Sequence, residues 1–99
     1  MYKIIYLQKA LDDLDEIHLY IAQDSPKAAD KMINNILDSI EGLLIFPLSG
    51  SSVNDRLDVE GDYRMLAVKP YLVFYRVIGE EVIIYRVLHS RRYHNALLD

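Results

Sequence analysis

The chain has no cysteine. That excludes a disulfide framework, a thiol nucleophile and any cysteine-based zinc site, while saying nothing about compartment. Long hydrophobic runs are also missing. No stretch approaches the roughly 20 apolar residues needed to span a bilayer, so no membrane partner is expected. The opening Met1-Tyr2-Lys3-Ile4-Ile5-Tyr6 reaches polar residues too early for a signal peptide, and a cytoplasmic location is the expectation. Proline and glycine are scarce, at three and four in 99 residues, so those that occur serve as punctuation. Basic charge is short too: 11 Lys/Arg stand against 15 Asp/Glu, a net charge of −4. As a whole the chain is a poor match to the basic profile of a typical nucleic-acid binder.

What is present is ordinary for a folded domain, 52% hydrophobic and 26% charged. The length corresponds to one domain over residues 1–99, able to bury a modest core without disulfide or metal. No cofactor and no metal is expected. Charge is unevenly spread. Residues 1–62 carry five Lys/Arg and twelve Asp/Glu, a balance of −7; residues 63–99 carry six and three, a balance of +3. Such blocks make a dipolar surface able to orient a partner. A solvated acidic helix with unrelated arginines explains them about as well.

The order of elements follows from periodicity. Tyr2–Leu7 is β-branched and aromatic and reads as a strand. Ala10, Leu14, Ile17 and Ile21 fall at helical spacing, with Asp12, Asp13, Asp15 and Glu16 expected to face mostly outward near the helix start. Ser25-Pro26 is an N-cap followed by a first-turn proline. It opens a second helix whose stripe runs Ala29, Met32, Ile33, Ile36, Leu37, Ile40, Leu43 and Leu44, up to Pro47. The short link between them implies an antiparallel helical hairpin. Leu48–Asp62 is rich in Ser, Gly, Asp and Asn and reads as an exposed loop. Three strands follow, Tyr63–Val68, Tyr71–Ile78 and Val82–Leu88, joined by turns at Lys69-Pro70 and Gly79-Glu80-Glu81. Apolar runs within them suggest a sheet covered in part on both faces. Arg91–Leu98 is a candidate short C-terminal helix. The order β-α-α-β-β-β predicts an α+β domain: a mainly antiparallel sheet, its last three strands a meander, with the helices packed on one face.

This ordered set resembles the RelE/ParE superfamily of small toxins from type II toxin–antitoxin systems, and its ParE-like members most. The residues carrying the resemblance are Ala10, Asp13-Leu14, Ile17 and Tyr20-Ile21 in the first helix, then Leu43, Phe46-Pro47 and Gly50 after the second. Tyr63-Arg64, Tyr71, Val73-Phe74-Tyr75-Arg76-Val77 and Val87-Leu88-His89-Ser90-Arg91-Arg92 complete it. The resemblance implies a hetero-oligomer with a cognate antitoxin, ParD-like or another short DNA-binding protein. It also implies one of two activities on one fold: poisoning of DNA gyrase by ParE-like members, or ribosome-dependent mRNA cleavage by RelE-like ones. Fold alone does not choose between them.

Metal-independent RNA cleavage needs a base, an acid and a cationic clamp on the phosphate. The RelE-like pattern places an arginine after the aromatic residue that opens the central strand. Here that position is Leu72, and a leucine cannot stabilise a phosphorane. The expectation is therefore a gyrase-binding protein, not an enzyme. If the chain is instead a nuclease, Arg64, His89, Arg91, Arg92 and His94 are the candidate catalytic residues, although a solvated strand end explains the same cluster more simply.

Candidate partner-binding residues are Leu11, Leu19 and Tyr20, which fall off the main stripe of the first helix, and Arg76, Arg86, Arg91, Arg92 and Tyr93. Arg76 and Arg86 are expected as diagonal neighbours on one sheet face, with ion pairing to the acidic helices as their simpler role. The four strand tyrosines, Tyr63, Tyr71, Tyr75 and Tyr85, are expected to pack with hydroxyls at the rim. The first strand is a candidate edge for strand addition.

Overall fold

The computed structural model describes residues 1–53 and 62–91. The candidate helix over Arg91–Leu98 falls almost wholly beyond them, as do Arg92, Tyr93 and His94. The chain runs β1 (Lys3–Tyr6), α1 (Gln8–Ala22), α2 (Pro26–Glu41), a 3-10 turn (Gly42–Leu44), β2 (Ser51–Ser52), β3 (Arg64–Val68), β4 (Tyr71–Ile78) and β5 (Glu81–His89). The strands form one mixed sheet in the order β1-β5-β4-β3-β2. This is the expected α+β architecture. Two features are additional: β1 lies parallel to β5, and β2 pairs antiparallel with β3 inside the segment expected to be a plain loop.

Local chemistry sets the boundaries. The Ser25 hydroxyl accepts the Ala28 N–H at 3.1 Å, and Pro26 takes the first helical position, where its missing donor leaves nothing unpaired. α1 starts earlier than its acidic run. Gln8 is its first residue, so Asp12 through Glu16 lie past the first turn, where the helix dipole has little hold on them. Gly79 takes a positive φ of +61° in the turn joining β4 to β5, a conformation that glycine adopts without steric cost.

The β4–β5 ladder changes register midway. Near the turn Arg76 faces Ile83; beyond it Phe74 faces Arg86, so β5 carries one extra residue, Tyr85, between Ile84 and Arg86. Through that extra residue Arg86 faces Phe74, two residues along β4 from Arg76, yet the two guanidiniums take different partners, the Tyr63 ring for Arg76 and Asp13 for Arg86. An insertion of one residue shifts every later side chain, and no turn-based register could anticipate it.

The core has two parts. On the helix side Ala10, Leu14, Ile17, Ile36, Ile40 and Leu43 pack against Val73, Tyr75, Val82, Ile84 and Val87. On the other side Val53, Phe74 and Leu88 form a smaller cluster, flanked by Tyr63, Met65 and Leu72. Both faces are therefore covered in part. The buried Val53 shows that the polar stretch after Pro47 contributes to the core, its N–H bonding the Tyr63 carbonyl at 3.0 Å. Burying each large aliphatic side chain contributes about 1.5–3 kcal/mol.

Candidate functional site

Among the described residues, the nuclease candidate Arg64 does not converge with His89 and Arg91. Arg64 pairs with Tyr75 across β3 and β4, whereas His89 pairs with Tyr71, four residues away along β4. At about 3.3 Å per residue that is roughly 13 Å along the strand. The Arg64 guanidinium is also committed elsewhere. Its Nη1 donates to the carbonyls of Leu48 (3.2 Å) and Gly50 (2.8 Å), and Asp62 lies 3.7 Å from its Nε. The Tyr75 hydroxyl donates to the Pro47 carbonyl at 2.8 Å and accepts the Gly50 N–H at 2.9 Å. Together these bonds clasp the Pro47–Gly50 turn onto the sheet. A Cβ on Gly50 would lie 2.7 Å from the Tyr75 hydroxyl oxygen and 2.9 Å from the Met65 carbonyl, so glycine is required by close approach. Burial raises the Tyr75 pKa above its ordinary value, more than the Gly50 N–H and Arg64 lower it.

Leu72 lies between Ala67 and Leu88 in the ladder and packs against the smaller cluster. The position that a phosphate-binding arginine would take is part of an apolar layer. His89 accepts the Arg91 N–H on Nδ1 at 3.2 Å and stacks edge-on against Tyr71 at 5.6 Å. In the neutral ring its proton then belongs on Nε2. The bond turns the chain at the end of β5, a structural use of the imidazole. Arg91 is exposed at that end; Arg92, Tyr93 and His94 lie outside the described residues.

The two strand arginines serve different partners. Arg76 lies over the ring of Tyr63 at 5.1 Å, and Tyr63 meets Tyr85 edge-on at 5.1 Å. Arg86 forms a two-pronged pair with Asp13 of α1, Nε to Oδ2 at 2.8 Å and Nη2 to Oδ1 at 3.1 Å. Asp13 also accepts the Val87 N–H at 2.9 Å and is buried, with its side chain 7% exposed. It was expected to face outward with its neighbours. The signal against that was available: Asp13 stands three residues after Ala10 and four before Ile17, on the buried stripe.

Two concave surfaces flank α1. A groove between the helices and the end of β1 is lined by Tyr6, Leu11, Ile33 and Leu37, with Asp15 and Glu41 at its rim. Burial, aided by Glu41, raises the Tyr6 pKa. An open cleft of about 580 Å³ lies between α1 and the end of β5, where Glu16, Ile17 and Tyr20 face Tyr71, Val87 and His89. Burial, aided by Tyr20, raises the Tyr71 pKa. The expected anchors are indeed exposed, Leu19 at 67% and Tyr20 at 73%, but they do not make one patch. Leu11 and Tyr20 are about 180° apart on the helix and line different hollows. A further exposed apolar run, Ile45, Phe46 and Leu48, escaped the sequence reading because it follows no helical or strand period.

Comparison with known proteins decides the family. The model of the ParE toxin of type II toxin–antitoxin systems (parDE) matches residues 4–93. The chain belongs to the ParE toxin family. Relatives include Toxin ParE3 of Caulobacter vibrioides, 33% identical over 92 residues and covering 92% of this chain and 89% of that protein. Toxin RelE2 of the same organism is 32% identical over 92 residues, covering 93% and 99%. Among solved structures, a chain of the chromosomal ParDE system from P. aeruginosa superposes with a TM-score of 0.74. It is 27% identical, with coverage of 90% of this chain and 96% of that one. Of the residues that carry the resemblance, Pro47, Gly50, Arg64 and Tyr75 form the turn clasp and Asp13 joins α1 to β5. Among the described residues no helix is long and apolar enough to cross a membrane.

Proposed function

We propose that this ParE-family chain inhibits DNA gyrase by binding it, without catalysis of its own, and that a cognate antitoxin holds it inactive in a hetero-oligomer. The observation that carries this reading is the fate of the phosphate-binding positions. Leu72 is built into an apolar cluster, and Arg64 is spent on the Leu48 and Gly50 carbonyls. With no arginine free beside His89 except Arg91 at the strand end, the acid–base and clamp roles of a ribonuclease are not assembled among the described residues. The name of the ParDE neighbour supports an antitoxin partner.

For the antitoxin, the groove of Tyr6, Leu11, Ile33 and Leu37 suits the apolar face of an amphipathic helix, with Asp15 and Glu41 placed for basic flanks. The outer edge of β1, an end strand of the sheet, offers backbone groups beside it. The likeness to a relative named Toxin RelE2 favours one alternative, an mRNA endonuclease using His89, Arg91, Arg92 and His94.

The two readings separate by assay. Purified protein is added to a gyrase supercoiling reaction and, in parallel, to translating ribosomes read by primer extension. Loss of supercoiling or trapped cleaved DNA with intact message is the expected result. Specific breaks in message with undisturbed gyrase would overturn it.

A further inference from the structure

Among the described residues, no strand pairs with the outer edge of the last part of β5. Lys3 N–H bonds the Glu80 carbonyl and Leu7 N–H bonds the Ile84 carbonyl, so β1 covers β5 through its even-numbered residues and stops at Ile84. The extra residue Tyr85 then reverses the parity. Ser90 N–H bonds the Pro70 carbonyl on the β4 side, while Val87 N–H points away from β4 and into Asp13. Alternation along a strand turns the Val87 carbonyl and both backbone groups of His89 the same way. That is the side β1 would occupy if it ran on. Among the described residues Asp13 is the group bonded to this edge. The open cleft lies against it.

We propose that this cleft takes an extended segment of a partner protein, which adds two or three residues of strand to the end of β5. The segment would bond the Val87 carbonyl and the His89 backbone and set a basic side chain against Glu16. A helix is a poor occupant, because its backbone is internally bonded and would leave the edge groups unpaired. Charge decides the side-chain chemistry. Asp13 is matched by Arg86, whereas Glu16 makes no ion pair among the described residues and stands with Asp12 and Asp15 on an acidic helix. Arg91 lines the other wall and repels a cation there, which fixes the basic residue at the α1 side. Ile17, Tyr71 and Val87 supply the apolar surface for its neighbours. The inference rests on the toxin–antitoxin reading only for the existence of a partner with such a segment, not for the geometry.

The test uses the full-length, 15N-labelled chain and the pentapeptide acetyl-Val-Arg-Val-Lys-Val-amide. Two analogues are N-methylated, one at the valines and one at Arg and Lys; in either strand direction one set of nitrogens faces β5. The parent peptide is expected to slow His89 amide exchange at least tenfold. One analogue should bind at least tenfold more weakly, and Glu16→Arg should weaken the parent several-fold while leaving the fold intact by amide spectrum. Equal binding of all three peptides overturns the proposal, as do shifts confined to the Leu11 and Ile33 groove or absence of binding. Slow exchange of the His89 amide before any peptide is added also overturns it, because the chain's own C-terminal residues would then be the occupant. Gyrase inhibition is read separately, so failure of one reading does not obscure the other.

Discussion

Single atoms hold the sheet to the segments around it. The Tyr75 hydroxyl both donates and accepts, and removing it leaves the Gly50 N–H and the Pro47 carbonyl without their partner. Tyr75→Phe is therefore expected to cost about 1–3 kcal/mol in urea unfolding, the penalty for stranded buried groups. Gly50→Ala forces its new methyl onto the same oxygen and is expected to cost about 1–3 kcal/mol through overpacking. The two changes disturb one contact, so their sum should exceed the cost of the double variant. The Tyr75 phenol also sets a pH dependence. Its folded pKa is raised by burial, so the folded state keeps its proton longer than the unfolded chain. That contribution is fully present below pH about 10, the unfolded value, and is lost as pH rises towards the folded value. Stability measured by denaturant at stepped alkaline pH should fall in that window, and less steeply in Tyr75→Phe.

At the scale of elements, α1 is tied to the sheet where β1 leaves off. Asp13 supplies the acceptor that a continuing strand would have supplied to Val87 N–H, and Arg86 neutralises it. Removing the arginine leaves the Asp13 charge in a buried place, so Arg86→Met alone should cost about 3–5 kcal/mol, while Asp13→Ala is destabilising because it also takes the acceptor from Val87 N–H. The double replacement should recover much of that loss, and the measured coupling in the cycle checks it. The spacing of Ala10, Asp13 and Ile17 puts Asp13 on the buried stripe, but no local signal names its partner, which stands 73 residues away. The groove on the other flank makes the opposite kind of prediction. Leu11→Asp lies on an exposed position, so stability should change by no more than about 0.5 kcal/mol. Antitoxin affinity, measured by calorimetry, should nevertheless drop at least tenfold.

Across the whole molecule, charge is separated along the chain, −7 over residues 1–62 and +3 over residues 63–99. The acidic helix α1 borders both hollows, with Asp15 beside one and Glu16 beside the other. Complementary charge speeds encounter more than it deepens affinity, and salt screens it. The association rate with the antitoxin is therefore expected to fall with rising ionic strength while the dissociation rate changes little; stopped-flow measurement at stepped salt tests this.

Periodicity and punctuation in the sequence by themselves determined the element order, the helical hairpin with its Ser25-Pro26 start, the turns and the ParE-family pattern, since each depends on residues close in the chain. The resemblance to the RelE-like pattern, and not periodicity, implies that Leu72 stands where that pattern has an arginine. Tertiary structure alone decided what depends on contacts between distant residues. The extra residue at Tyr85 sent Arg86 to Asp13 and left Arg76 over Tyr63. The clasp on Pro47–Gly50 removed Arg64 from any cationic site, and pairing across the sheet set it four residues along β4 from the position that His89 faces. Register and burial arise only when strands meet, and in this protein they determine which charges are spent on the fold and which remain for a partner.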